Sequence, residues 1–350
     1  MRSRLHRSLA VIAVAAAVLL ITASPAAACG GLVGENGTIR LGKTTTLAAW
    51  HNGIERYVTS FEFTGDGAEL GSIVPLPGVP TEVTRGGDWT LQRLEREVAP
   101  PKRFAADAAA GSATAASAEV ILQTKIDALD ITILKGGGAE VGQWAVEHGF
   151  LLTPDAPEVL DFYSQRSPIF MAARFDANAA RTLGQQAGDG TPIMLTIPLD
   201  QPWVPLRILG LGLQASEQIN ADVFVLTDDR PQLLAGGDGL RLQRSEQASN
   251  SLLDDLRSDT GMGWVPSKMW FSYLTVDASA AALRYDLASS VRPLRAPSAT
   301  DAGIASRSQG VDLHLFGTVG RTVPFEALVL AALGLGTVVV FASRRLRTAR

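Results

Sequence analysis

The residues able to do chemistry in this chain are few, and His148 is the best placed of them. Val141, Trp144, Ala145 and His148 recur on one face of a helical pattern, and Gly149 follows where a left-handed residue ends a helix. At that end the helix dipole favours a proton on the ring, and an enzyme would need an acid such as Asp130 or Glu147, plus a nucleophile, to converge on it. The same position suits a packed, hydrogen-bonded histidine that does no chemistry, which is the commoner role of such a residue. Lys135-Gly136-Gly137-Gly138 leads from a strand into that helix, so its backbone N–H groups could cradle phosphate with Lys135 as the charge. It lacks the Walker spacing, and glycine runs commonly serve as turns.

Other chemistries find less support. The Gly-Asp-Gly triplets centred on Asp66, Asp189 and Asp238 lack the alternating oxygen side chains of a calcium loop and read as turns. The pairs Asp228-Asp229 and Asp254-Asp255 read as solvated carboxylates. His51, His148 and His314 fall in no His-Glu-x-x-His pattern, and no Gly-x-Ser-x-Gly elbow occurs. One cysteine, Cys29, excludes an intrachain disulfide and a thiolate zinc site. The expectation is no catalytic, cofactor-binding or metal-binding residue. Trp264, Trp270, Phe271 and Tyr273 could anchor a partner or a glycan, but strands bury aromatics routinely and core packing accounts for them.

The elements that must position these residues centre on Ile54 to Val83. Tyr57, Thr59, Phe61 and Phe63 alternate with Val58, Ser60 and Glu62, which predicts a strand with one buried aromatic face. Asn52-Gly53 links it to a strand over Thr44 to His51 as a tight hairpin, and Gly65-Asp66-Gly67 turns toward a third strand, Glu69 to Val74. The expectation is a three-stranded antiparallel meander. Pro75, Pro77 and Pro80 should end it in a stiff, exposed segment, so Pro75, Leu76, Pro77 and Pro80 form the candidate interaction surface.

Beyond it, Asp88 can cap a helix carrying Leu91, Leu94 and Val98, and the bland run Ala105 to Ala118 reads as a linker that could join two lobes. Strands are expected over Glu119–Lys125 and Ala128–Leu134, then helices from about Ala139 and from an Asp155/Glu158 capping box through Arg166. Further strands are expected over Ile169–Phe175, Pro192–Pro198, Val204–Leu209, Ala221–Thr227, Trp270–Val276 and Ala282–Leu287, with a helix over Asn250–Ser258. The fold class is α+β, with mostly antiparallel sheets and a few short helices.

Four pieces of this pattern, in this order, resemble the bacterial extracytoplasmic family catalogued as domain of unknown function 2330. They are Cys29-Gly30-Gly31, then Val74-Pro75-Leu76-Pro77, then Trp144 with His148-Gly149-Phe150, and last Pro192 to Thr196 followed by Pro205-Leu206-Arg207-Ile208. The resemblance runs from Cys29 to about Leu287. Leu32 and Val33 stand where members often carry a second cysteine, and Ile73 where they carry an aromatic, so any shared disulfide is absent here. The resemblance implies an exported or membrane-bound domain and carries over no catalytic residue.

The two ends set a topology. Arg2, Arg4 and Arg7 precede the apolar run Leu9 to Ile21, and Ala26-Ala27-Ala28 suits signal peptidase, so residues 1–28 read as a secretory signal. Cleavage after Ala28 would expose Cys29, which leaves its lipidation open beside an ordinary free or packed cysteine. Residues 293–322 read as a stalk, and residues 323–342, with Glu326 as their one charge, as a transmembrane helix. Arg344, Arg345, Arg347 and Arg350 in the tail, residues 343–350, would keep the C-terminus in the cytoplasm and residues 29–292 outside. Between the basic ends, 24 basic residues face 34 acidic ones, and a net charge of about −10 opposes nucleic acid as a partner. The function expected is a membrane-anchored binding or interaction module of the cell envelope, without catalysis, whose partners are the plasma membrane and an unidentified protein or envelope ligand. The alternative is an extracytoplasmic, hydrolase-like enzyme.

Overall fold

The computed structural model describes residues 31–34, 40–41, 44–60, 63–64, 69–98, 118–184, 191–234, 239–292, 295–303, 310–312 and 322–324. The chain divides into two units, residues 1–303 and 304–350. The first begins with strands β1 (Gly31–Gly34), β2 (Arg40–Leu41), β3 (Thr44–His51), β4 (Ile54–Thr59), β5 (Phe63–Thr64), β6 (Glu69–Leu76) and β7 (Glu82–Arg85). Helix α1 (Thr90–Val98), β8 (Glu119–Ile126), β9 (Leu129–Lys135), helices α2 (Gly138–Glu147) and α3 (Ala156–Ser164), β10 (Ile169–Asp176) and the short helix α4 (Ala177–Thr182) follow. The rest is β11 (Ile193–Pro198), β12 (Gln218–Thr227), β13 (Gln232–Leu234), β14 (Leu240–Gln247), helix α5 (Asn250–Ser258), β15 (Trp270–Ser279) and β16 (Ala288–Ser290). The second unit contributes the antiparallel pair β17 (Gly310–Asp312) and β18 (Thr322–Pro324).

Two sheets dominate, and the fold is α+β with mostly antiparallel pairing. The five-stranded sheet runs β1-β6-β10-β9-β8, antiparallel throughout, and the seven-stranded sheet runs β14-β15-β12-β3-β4-β11-β7. Within the larger sheet β3 and β12 pair in parallel, Ala221 opposite Thr44 through Thr227 opposite Trp50. One face of it presents Leu47, Ala49, Val58, Phe224, Leu226 and Phe271 to Leu91 and Leu94 of α1 and to Leu252, Leu253 and Leu256 of α5. The opposite face is buried too, at Ala48, Tyr57, Leu195 and Val225, so its central strands are apolar on both sides rather than alternating. On the five-stranded sheet, Ile73, Leu134, Phe170 and Ala172 pack against Val141, Trp144 and Ala145 of α2 and Leu160 and Tyr163 of α3.

The β3–β4 hairpin turns on Asn52 and Gly53 at φ 51° and 78°, the left-handed pair that the sequence predicts. The third strand of the expected meander goes elsewhere: β6 leaves the hairpin for the five-stranded sheet, between β1 and β10. Alternation along a strand specifies which face is buried but not which strand lies beside it. The proline segment is corrected as well. Pro75, Leu76 and Pro80 are buried, Leu76 only 1% exposed and opposite Ile169, while Pro77 is half-buried. Pro75 lies within β6, opposite Phe170 of β10. Phe61 lies outside the described residues.

Three further expectations change. Helix α1 is capped not by Asp88 but by Asp259, whose carboxylate accepts from Asp88 N at 3.0 Å, Trp89 N at 3.0 Å and Thr90 Oγ1 at 2.7 Å. Asp155 and Glu158 form no capping box: Asp155 accepts from Gly212 N at 3.0 Å and Glu158 pairs with Arg207. Val204–Leu209 and Ala282–Leu287 meet in a single bridge, Val204 with Leu287, beside a 3-10 turn over Arg207–Gly210, rather than as strands. The chain after residue 292 also stays on the body for longer than a stalk would: Ala302 is buried, its carbonyl accepts from Asp286 N at 2.9 Å, and Asp301 O accepts from Arg166 Nη2 at 3.0 Å. Residues 105–117 of the expected linker, Cys29, and residues 325–350 lie outside the described residues; Val323 and Pro324 belong to β18. Among the described residues no helix is long and apolar enough to cross a membrane.

Candidate functional site

The helix pair α2–α3 covers only part of the five-stranded sheet, and the cleft lies where that cover stops. Side chains on one face of the sheet line up in rows set by the strand register. Pro75, Phe170 and Leu134 form one row, Ile73, Ala172, Thr132 and Gln123 the next, and Gly71, Arg174, Asp130 and Lys125 the third. Moving along the sheet, the rows change from apolar to charged. Trp144, from the last turn of α2, His148, its C-cap, and Phe150, just past it, form the opposite wall. The hollow has a volume of about 380 Å³ and is lined by Gln123, Thr124, Asp130, Ile131, Thr132, Trp144, His148, Phe150, Ala172 and Arg174.

Local packing fixes that wall. Gly138 starts α2 against α3, and a Cβ there would lie 2.5 Å from Asp161 N, so only glycine lets the helices approach this closely. Phe150 reaches the sheet at a second glycine: a Cβ on Gly71 would fall 2.1 Å from its ring. Gly149 takes φ 80° to end the helix, as its position in the sequence predicts.

His148 stacks on Trp144 with centroids 3.6 Å apart, and its Nδ1 donates to Trp144 O at 2.8 Å. A carbonyl can only accept, so the proton sits on Nδ1 and Nε2 keeps its lone pair in the neutral ring. Burial pulls the His148 pKa below its ordinary value, Arg174 adds to the depression, and the Trp144 carbonyl and Glu147 do not offset it. This reverses the sequence expectation that the helix dipole would favour a protonated ring. Asp130 is engaged by Lys125 at 3.3 Å, and Lys125 also holds Asp176 at 3.0 Å. Arg174 differs. Its Nε is buried without a partner, and so is the indole N–H of Trp144, itself 3% exposed.

The structure thus brings His148 and Asp130 to one cleft, while Glu147 accepts from Gln143 at 2.7 Å and does not line it. Arg174, Thr132 and Gln123 were not singled out by sequence; the pattern of β10 carries no local sign that one of its residues faces a gap in the helix cover. The glycine run does not form a phosphate cradle. Gly136 N donates to Pro168 O at 2.9 Å, Gly137 N to Glu140 Oε2 at 2.7 Å, and Lys135 pairs with Glu119 at 3.1 Å. His51 binds Asp228, and Asp254 and Asp255 pair with Arg257 and Arg93. Phe271 is buried, with Trp264 and Tyr273 packed on the same core, and Trp270 Nε1 donates to Ser245 at 2.9 Å. Asp66, Asp189, Asp238 and His314 lie outside the described residues. Among the described residues no group of three or more His, Cys, Asp or Glu could hold a metal.

Two buried carboxylates elsewhere also escape a sequence reading. Asp286 accepts from Tyr163 Oη at 2.7 Å, Leu206 N at 2.8 Å and Arg207 N at 3.1 Å, with Arg166 Nη1 3.2 Å from its other oxygen. Burial holds its pKa above the ordinary range despite these partners. Glu55, fully buried in β4, accepts from Trp203 N at 2.6 Å through Oε2, while Oε1 has no partner; burial raises its pKa to about 8, partly offset by that bond. Asp286 closes a network that locks α3 to the 3-10 turn, and Glu55 is buried in the larger sheet. Neither lines the cleft.

The family described as an uncharacterized protein conserved in bacteria, DUF2330, matches residues 23–238. The chain belongs to this family. The match takes in the whole cleft and ends before β14, α5 and β15, short of the Leu287 limit that the motifs suggest. No curated protein matches the chain. Among solved structures, baculovirus P35 is similar at 10% identity and a TM-score of 0.37, over 73% of this chain and 98% of that one. A likeness at that level carries no argument about fold or function.

Proposed function

We propose that this DUF2330 member is a non-catalytic binding module of the cell envelope whose ligand occupies the cleft between Arg174 and His148. In this reading residues 1–28 direct export, residues 323–342 anchor the chain in the plasma membrane, and the α+β body faces outward with the C-terminus in the cytoplasm. The arginines flanking both apolar ends support that topology. The observation that carries the site is that two side chains lining one concave place on the sheet, Arg174 and Trp144, each keep a buried N–H without a partner. Capture from detergent extracts tests it: the full chain should retain an envelope protein or envelope component that Arg174→Gln and His148→Ala lose, with thermal unfolding unchanged. Equal retention by wild type and both variants would move the ligand to another surface.

A second reading, a hydrolase-like enzyme, draws on the meeting of His148 and Asp130 in the cleft. Against it, His148 Nδ1 is committed to a backbone carbonyl and Asp130 to Lys125, so among the described residues no carboxylate orients the ring as a base, and the hydroxyl on the cleft face is that of Thr132. Turnover of chromogenic esters or peptides that disappears in His148→Ala would replace the binding reading with this one.

A further inference from the structure

We infer that the group the cleft receives is a carboxylate joined to a flat apolar body, an inference that rests on the cleft being the ligand site. Arg174 decides the charge. It is a permanent cation, and the structure gives its guanidinium no ion pair or hydrogen bond to another described residue. Its cross-strand neighbour Asp130 does not neutralise it, because Lys125 stands at 3.3 Å from Asp130. The neutral His148 adds no second cation, so the site suits one negative charge rather than a phosphate cluster. The indole N–H of Trp144 is a further donor without a partner. The remaining walls, Phe150, Ala172 and the stacked Trp144–His148 rings, are mostly apolar and flat, and they suit an aromatic or branched aliphatic group. At about 380 Å³ the cleft is the size of a small-ligand site.

Such a carboxylate could end a polypeptide or belong to a free small acid, and three probes separate these sources. Calorimetry on the full chain in detergent would compare N-acetylphenylalanine, which imitates a chain end, with N-acetylphenylalaninamide and with 3-phenylpropionate. The inference expects N-acetylphenylalanine to bind and its amide to bind at least about tenfold more weakly, since the pair differs only in the charged group that Arg174 would meet. Affinity for 3-phenylpropionate equal to that for N-acetylphenylalanine assigns the site to free acids; a clear preference for N-acetylphenylalanine assigns it to chain ends. Arg174→Gln should abolish the difference between acid and amide, and Arg174→Lys should restore part of it. Equal binding of acid and amide by the wild-type chain would overturn the carboxylate while leaving the cleft as a binding site. Binding of none of the three at millimolar concentration would overturn the inference too, and the capture experiment then decides separately whether the chain is a binding module.

Discussion

Glu55 carries its proton into the neutral range because its environment offers one N–H, from Trp203, and no counter-charge. With a folded pKa of about 8 against an ordinary 4.5, the folded chain holds a proton that the unfolded chain releases across that window. Stability is therefore fully present below about pH 4.5 and falls as pH rises through about 8, by an amount on the order of a few kcal/mol. Glu55→Gln should keep the bond from Trp203 and flatten this slope, which urea unfolding at about pH 5 and about pH 9 would show; a slope left unchanged would assign the proton uptake to another group. Leu76 supports a second prediction at this scale. Buried opposite Ile169, it should cost about 2 to 5 kcal/mol as Leu76→Ala and more as Leu76→Asp, which leaves a charge in the core. An Asp variant that unfolds like wild type would return this residue to the surface that its proline setting suggests.

Helix α1 illustrates how an element depends on a distant residue. Burial pushes the Asp259 pKa up, but the N–H groups of Trp89 and Asp88, the Thr90 hydroxyl and Thr260 N outweigh it and hold the carboxylate below its ordinary range. Asp259→Ala should cost about 1 to 3 kcal/mol by equilibrium unfolding, because it removes both a cap and the partner of the buried Thr90 hydroxyl and of several partly buried N–H groups. At α2, Gly138→Ala should separate the helix from α3, lower stability by about 1 to 3 kcal/mol and weaken any cleft ligand by moving the Trp144 wall. Helices α1 and α5 mark what sequence can and cannot show. The position of α5 is legible because Ser249 caps it locally and Leu252, Leu253 and Leu256 repeat on one face. The cap of α1 is not, since its acceptor lies about 170 residues away, in a segment with no signal of its own. The hairpin at Asn52-Gly53 is legible from two residues; the departure of β6 to another sheet, and with it the burial of Pro75 and Leu76, depends on partners that no local pattern names. The cleft shares that fate: His148 and Asp130 stand out as types, whereas Arg174 becomes a candidate only when the register sets it beyond the helix cover.

At the scale of the whole molecule, the proposed topology makes its own prediction. Protease added to right-side-out spheroplasts should remove residues after 28 as far as the membrane while sparing the basic tail, and deleting residues 323–350 should release a folded body into the medium unless Cys29 is lipidated. A full-length chain that survives in accessible membranes would count against that orientation.

The parallel pairing of β3 with β12 has a consequence for the order in which the chain can be completed. Residues 44–50 and 221–227 sit side by side at the middle of the larger sheet, so its central seam closes only after most of the polypeptide has been made. Until then the β3–β4 hairpin, whose β3 is buried along most of its length in the finished sheet, waits with an open edge while the rest of the chain is made. Such long-range closure places the protein among slow folders and makes the nascent hairpin the segment most in need of a holding chaperone.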